Sequence, residues 1–251
     1  MDLELKGKTA LVTGGSRGIG FAIADRLIAE GCTVLLVARD AARLAAAAEK
    51  LNARHGLLPR VHAADLSSTA GVESVYALLD GVDLLVNSAG DVPRGGLLDL
   101  SAERLRAAFD VKLFATMALC REALSRMKAR GGGVIVNIIG TSGEFPSPRA
   151  IPTTTVNGAL IAFTRAVGAA SVDDNVRVIG INPGIVDTDR HAVVPGVVHD
   201  DARRAALAKL PWGRMARPEE VADLVAFVAS ARASYLSGAV YTIDAGQRLR
   251  T

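Results

Sequence analysis

The stretch from Thr9 to Gly20 constrains this chain more than any other. A run of β-forming residues, Thr9-Ala-Leu-Val-Thr13, ends in Gly14-Gly15-Ser16-Arg17-Gly18-Ile19-Gly20, and an apolar helical pattern from Ile19 to Glu30 follows at once. A strand that passes through glycines straight into a helix brings bare backbone and a helix N-terminus to one place. That place suits a phosphate, because the glycines allow close approach and the first helical N–H groups have no partner within the helix. A turn of this kind belongs to a parallel sheet, in which each strand leads into a crossover helix.

The remaining chain repeats the same alternation. Short apolar runs at Thr33–Val37, Arg60–Ala64, Val82–Val86, Val134–Ile139, Val176–Ile181 and Ala239–Ile243 are separated by longer helical patterns. Gly31 ends the first helix, Asp40 caps the second, and a third begins after Ser67. A long helix is predicted over 102–129 and is stopped by Gly131-Gly-Gly133; two more cover 151–170 and 218–230. Strands apolar on both faces, with helices between them, predict a doubly wound α/β fold: a Rossmann-type parallel sheet of seven strands with helices on both sides. No linker, repeat or low-complexity segment divides the 251 residues, so a single domain over 1–251 is expected.

Composition narrows the function classes. Half the residues are hydrophobic, and the net charge of +3 is spread among interspersed acids, so no basic stripe for nucleic acid is present. Cys32 and Cys120 sit in apolar stretches without metal-ligand spacing and read as buried free thiols, and no metal site is expected. The N-terminus carries acids and no apolar signal core, and no uncharged apolar run approaches bilayer-spanning length. A cytoplasmic protein without a membrane partner is the expectation.

The end of the second strand selects the nucleotide. An acid there would hold the 2′-hydroxyl of NAD, whereas an arginine accommodates the 2′-phosphate of NADP. The sequence has Ala38-Arg39, and Arg17 adds a second cation inside the turn. NADP(H) is therefore expected in preference to NAD(H), with Asp40 serving as a helix cap.

The chain resembles the short-chain dehydrogenase/reductase superfamily over nearly its whole length. The motifs that carry the resemblance are Thr13-Gly14-x-x-x-Gly18-x-Gly20, Ala64-Asp65-Leu66, Asn87-Ser88-Ala89-Gly90, Ile181-Asn182-Pro183-Gly184, Arg217-Pro218-Glu219-Glu220-Val221-Ala222 and Leu236-Ser237-Gly238 with Asp244-Ala245-Gly246. The resemblance implies that Gly14, Ser16, Arg17, Gly18, Ile19 and Gly20 form the pyrophosphate turn. It implies further that Asp65 and Leu66 flank the adenine and that Asn87, Ser88, Ala89 and Gly90 line the ribose. Pro183, Gly184, Val186 and Thr188 would meet the nicotinamide end. The family's usual activity is hydride transfer between NAD(P)H and a carbonyl or alcohol.

The family's reacting residues are altered. A Tyr four residues before a Lys, a Ser thirteen residues before the Tyr and an Asn on the long helix make up the usual set. Here these positions hold Thr153, Asn157, Gly140 and Lys112, with Thr141 and Ser142 beside Gly140. Asn has become Lys at 112 and Lys has become Asn at 157, so one ammonium and one amide are kept. Lys112 shares its helical face with Ala108, Phe109, Ala115 and Thr116, which leaves two readings: a cation turned into the cleft, or a lysine snorkelling out at a subunit edge. Lys112, Thr153, Asn157 and Ser142 are the candidate catalytic residues. Glu144 reads either as a replacement acid or as a solvated loop residue. His191 and His199 lie in the loop that the family closes over substrate, beside Val193, Val194, Val197 and Val198.

Helices 102–129 and 151–170 are apolar over more than one face, through Leu113, Phe114, Met117, Leu119, Leu160, Ile161 and Phe163. In the resembled family these helices form the main subunit interface, so a homotetramer is expected, with a dimer next. The leading function is an NADP(H)-dependent oxidoreductase with an atypical active site, acting on a small-molecule carbonyl or alcohol. Two other readings stay open: a non-redox lyase or dehydratase in the same pocket, and a redox-inactive nucleotide-binding sensor or assembly protein.

Overall fold

A computed structural model describes residues 1–189, 205 and 207–249. Seven parallel strands run in the order β3-β2-β1-β4-β5-β6-β7. They are β1 Thr9–Thr13, β2 Thr33–Ala38, β3 Arg60–Ala63, β4 Leu84–Asn87, β5 Gly133–Ile138, β6 Val176–Pro183 and β7 Val240–Ile243. The order reverses between β1 and β4, and there the loops leaving the strand ends diverge and open a crevice.

Alternation along each strand feeds two separate cores. Ala10, Val12, Val34, Leu36, Leu84, Val86, Ile179 and Ile181 point to one face, where they pack with helices α1 (Gly18–Ala29) and α2 (Ala41–His55). The last helix, here α7 (Pro218–Ala229), covers the same face through Val221, Val225 and Val228. The intervening residues Leu11, Leu35, Val37, Leu85, Ile135 and Val178 face the other way. They pack with α3 (Thr69–Tyr76) and α5 (Ala115–Ala129). Cys32 and Cys120 are buried free thiols in these two cores; burial lifts the Cys120 thiol to about 12 and, with nearby Glu30 and Asp83, the Cys32 thiol to about 11. Helix caps follow the sequence: Asp40, Ser68 and Ser101 each accept from a backbone N–H three residues on.

The long helix predicted over 102–129 is interrupted. It consists of α4 (Ala102–Phe109), a π-helical turn at Asp110–Phe114, and α5. The Ala115 N–H reaches back five residues to the Asp110 carbonyl, so one extra residue is wound into the helix. Periodicity could not reveal this, since the apolar stripe resumes in register on either side. Such turns reorient the side chains they carry and are frequent at functional sites.

Helix α6 (Ile151–Ala170) lies beside β5 and β6, with Val156, Asn157, Leu160, Ile161 and Thr164 buried. Residues 151–174 are long and apolar enough to cross a bilayer by length and composition, but here that apolar character serves packing on the sheet. The apolar residues expected to form a subunit interface divide in the same way. Leu113, Leu119, Leu160 and Ile161 are buried within the chain, and Phe163 is half-buried in its cores. Phe114, 55% exposed, and Met117, 37% exposed, are what remains for a partner.

Candidate functional site

The strand ends at the β1/β4 reversal border a cleft of about 850 Å³. On its first side lies the glycine turn. Gly14 has a φ of +69°, and a Cβ there would meet the Ser88 carbonyl oxygen at 2.9 Å. A Cβ on Gly20 would come within 2.3 Å of the Gly14 oxygen, so the helix start can approach the turn only as glycine. Arg17 precedes α1 in an extended conformation, no side chain caps the helix and no acid occupies its first turn. The dipole and the uncapped N–H groups are left to attract an anion.

Thr13 ties this turn to the next one. Its Oγ1 accepts from the backbone N–H groups of Ser88 and Ala89, at 3.0 and 3.1 Å. Thr13 is a positioning residue whose role the motif spacing did not reveal. Ser16, Arg17, Gly18, Ile19, Gly20, Arg39, Asp65, Leu66, Ser88, Ala89 and Gly90 all border the cleft, as do Pro183, Gly184, Val186 and Thr188. Asp65 accepts from both the N–H and the hydroxyl of Ser67, which together with nearby Arg39 holds its carboxyl below the usual range.

Asn87 departs from the expectation that it lines the ribose. Its side chain is buried behind the cleft, where Nδ2 donates to Asn137 Oδ1 at 2.9 Å and to Cys120 Sγ at 3.3 Å. Asn137 in turn donates to Thr164 Oγ1 at 3.0 Å. This polar chain links β4, β5 and α6 beneath the site, and it satisfies the Asn87 amide nitrogen while Asn87 Oδ1 is buried without a partner.

The second side of the cleft carries the four altered positions. Lys112, only 6% exposed, sits in the π-helical turn, and its Nζ donates to the Ile139 carbonyl oxygen at 2.6 Å. The lysine therefore points inward, and the snorkelling alternative is excluded. Its stem lies against Gly90, where a Cβ would come within 2.7 Å of Lys112 Cγ. Asn157, 2% exposed, donates from Nδ2 to Ser142 Oγ at 2.9 Å, while its Oδ1 is buried without a partner. A Cβ at Gly140, φ +132°, would fall 2.8 Å from Asn157 Nδ2. A side chain at 140 and this placement of Asn157 are thus mutually exclusive. The ammonium meets Ile139 and the amide meets Ser142, both in the segment just after β5, so the two groups share one neighbourhood.

Thr153 borders the cleft, but its hydroxyl donates to the Pro93 carbonyl at 3.5 Å, a long contact between the start of α6 and the loop after β4. Glu144 is neither a cleft acid nor solvated. It accepts from Arg248 at 2.8 Å and from Thr242 at 3.3 Å, and pairs with Arg165 at 3.6 Å. His191, His199 and the valines at 193, 194, 197 and 198 lie outside the described residues. The cleft residues fit a dinucleotide: a glycine cradle that a Cβ would fill, an uncapped helix start, and a buried Asn157 oxygen that lacks a donor.

Comparisons with known proteins accord with this geometry. A family profile described as Enoyl-(Acyl carrier protein) reductase matches residues 14–248. The chain is 32% identical to a 3-oxoacyl-acyl-carrier-protein reductase of Aquifex aeolicus over 252 residues, covering 98% of this chain and 99% of that protein. It is likewise 32% identical to a 3α-hydroxysteroid dehydrogenase of Mediterraneibacter gnavus over 260 residues, covering 99% and 100%. Among solved structures, the L-sorbose reductase of Gluconobacter frateurii in complex with NADPH and L-sorbose superposes with a TM-score of 0.90. It has 32% identity and full coverage of both chains.

Proposed function

The chain belongs to the short-chain dehydrogenase/reductase superfamily of oxidoreductases, and from that premise we propose an NADP(H)-dependent oxidoreductase of carbonyl or alcohol substrates with a rebuilt reacting centre. The observation that carries this reading is the buried Lys112, which faces the same cleft as the glycine turn. When bound, NADPH supplies the hydride. The glycine turn and the start of α1 receive the pyrophosphate, and Arg17 and Arg39 receive the 2′-phosphate through charge-assisted hydrogen bonds. Crystal structures of relatives with NADPH and NADP support that choice.

Carbonyl reduction builds negative charge on the substrate oxygen, which needs a cation and a donor. Lys112 supplies the cation and, as an ammonium, the proton that the reduced oxygen takes up. Ser142 Oγ accepts from Asn157, so its own proton is left for another acceptor, and we place the substrate oxygen there. Asn157 Oδ1, buried without a partner, would accept from a hydroxyl of the bound cofactor. Thr153 has no useful acidity near neutral pH and does not replace a tyrosine. The exposed Phe114 and Met117 support assembly as a homotetramer, or as a dimer.

One observation favours a second reading. The Thr153 hydroxyl is directed at Pro93, which leaves no phenol-like acid in its place and suits a redox-inactive NADP(H)-binding protein. A single experiment separates the two. NADPH at a hundred times its Kd raises stability by about 2.7 kcal/mol, or roughly 5–10 °C in Tm for a domain of this size. A panel of carbonyls and alcohols is then followed at the nicotinamide absorbance. Binding with turnover supports the oxidoreductase, binding without any turnover supports the sensor, and no binding overturns both.

A further inference from the structure

We propose that Arg94 and Arg149 form an anion-recognition site for substrate, so that the substrate is a carbonyl or alcohol compound bearing a carboxylate or phosphate. The inference rests on the oxidoreductase reading above and deepens it.

Arg94 lies in the loop after β4 and Arg149 in the loop after β5, and both border the β4–β5 end of the cleft. The two loops are paired locally. Gly95 and Ala150 form a parallel bridge, with the Ile151 N–H donating to the Gly95 oxygen at 3.0 Å. One step back along each backbone, Arg94 and Arg149 hold matching positions on the two segments. Two further contacts keep them in place: Thr153 Oγ1 donates to the Pro93 oxygen, and the Ser147 N–H donates to Thr154 Oγ1 at 3.2 Å. The threonine at the altered tyrosine position thus contacts the loop that bears Arg94.

Like charges at matching positions on paired backbones repel one another. Among the described residues nothing offsets this pair, since neither guanidinium has an ion pair or a side-chain hydrogen bond there. Of the acids facing the cleft, Asp91 is at this end and is itself engaged, Asp189 lies beyond β6, and Asp40 and Asp65 lie beside β2 and β3. Lys112 adds a third positive charge. Paired guanidinium forks match the oxygens of a carboxylate or phosphate, and both residues line the cleft on the loops after β4 and β5, away from the glycine turn after β1.

The test uses protein saturated with NADP+, so that the anion site of the glycine turn is filled. Malonate and inorganic phosphate are titrated by calorimetry into the wild type, R94Q, R149Q and the double variant. We expect one or both anions to bind the wild type, affinity to fall about tenfold for each arginine removed, and NADP+ affinity to stay unchanged. Whichever anion binds more tightly identifies the source of the charge. Among turnover assays, R94Q/R149Q raises KM for acetoacetate or dihydroxyacetone phosphate and leaves methyl acetoacetate and dihydroxyacetone unaffected. Failure of either anion to bind the wild type, or equal binding by wild type and double variant, overturns the proposal. If NADP+ itself does not bind, the functional reading falls instead. The anion site is then judged by the same comparison in the cofactor-free chain.

Discussion

The two sides of the cleft are built on different principles. On the β1–β2–β3 side the work is done by backbone: positive-φ glycines, an uncapped helix start, and Thr13 clamping two turns together. On the β5–α6 side it is done by side chains, those of Lys112, Ser142 and Asn157. Gly140 and Asn157 depend on one another sterically, because Asn157 occupies the space that a side chain at 140 would need. A backbone site changes little without loss of its own local geometry. A side-chain site can be rebuilt, provided that its neighbours change with it.

Breaking the backbone side should have the largest effect. Gly20→Val drives a Cβ into the Gly14 oxygen and should weaken NADPH binding by two orders of magnitude or more, read by nucleotide fluorescence. Circular dichroism should show the sheet intact. Next comes the side-chain side. Lys112→Met keeps the stem but removes the cation; turnover should drop by about 10²–10³ while NADPH affinity changes less than tenfold. The Ile139 oxygen loses a donor, which costs about 1–3 kcal/mol by chemical denaturation. Unchanged kcat would remove Lys112 from the chemistry.

A smaller effect sharpens the claim that Gly140 and Asn157 are coupled. Gly140→Ser should destabilise by about 1–3 kcal/mol in the wild type, from overpacking against Asn157 and strain at positive φ. In an Asn157→Ala background the contact part of that cost should vanish, and additivity of the two changes would disprove the coupling. The smallest effect concerns a region common to both sides, the buried thiol of Cys120. Its pKa is raised from 9.0 to about 12, so the unfolded chain releases this proton first and binds fewer protons than the folded one between those values. Stability should therefore fall as pH rises through that window, with no contribution below pH 9. Cys120→Ala should flatten that slope in urea titrations.

Much of the cofactor side could be read directly from the residues. Gly14, Gly18 and Gly20 lie close in sequence, and their spacing dictates their geometry. Arg39 could be placed because a strand end is visible in the pattern. Asn87 was misplaced, since whether its amide faces the cleft or Asn137 depends on a neighbour fifty residues away in the chain. Glu144 was misplaced likewise, because its partners Arg165 and Arg248 come from α6 and the C-terminal segment. The four altered positions could be found by counting, but Lys112's direction could not. It depends on a π-helical turn that inserts one residue without disturbing the apolar stripe on either side.

The sequence by itself determined the doubly wound sheet, the glycine turn after β1 and the identities of the residues at 112, 140, 153 and 157. Each follows from local order: strand alternation, glycine spacing and residue identity. Only the tertiary structure decided that Lys112 faces the cleft, that Thr153 contacts the loop after β4, and that Arg94 and Arg149 hold matching backbone positions on two loops at the cleft. Those facts arise from contacts between segments distant in sequence, where packing and backbone pairing set a side chain's direction and local propensity has no say.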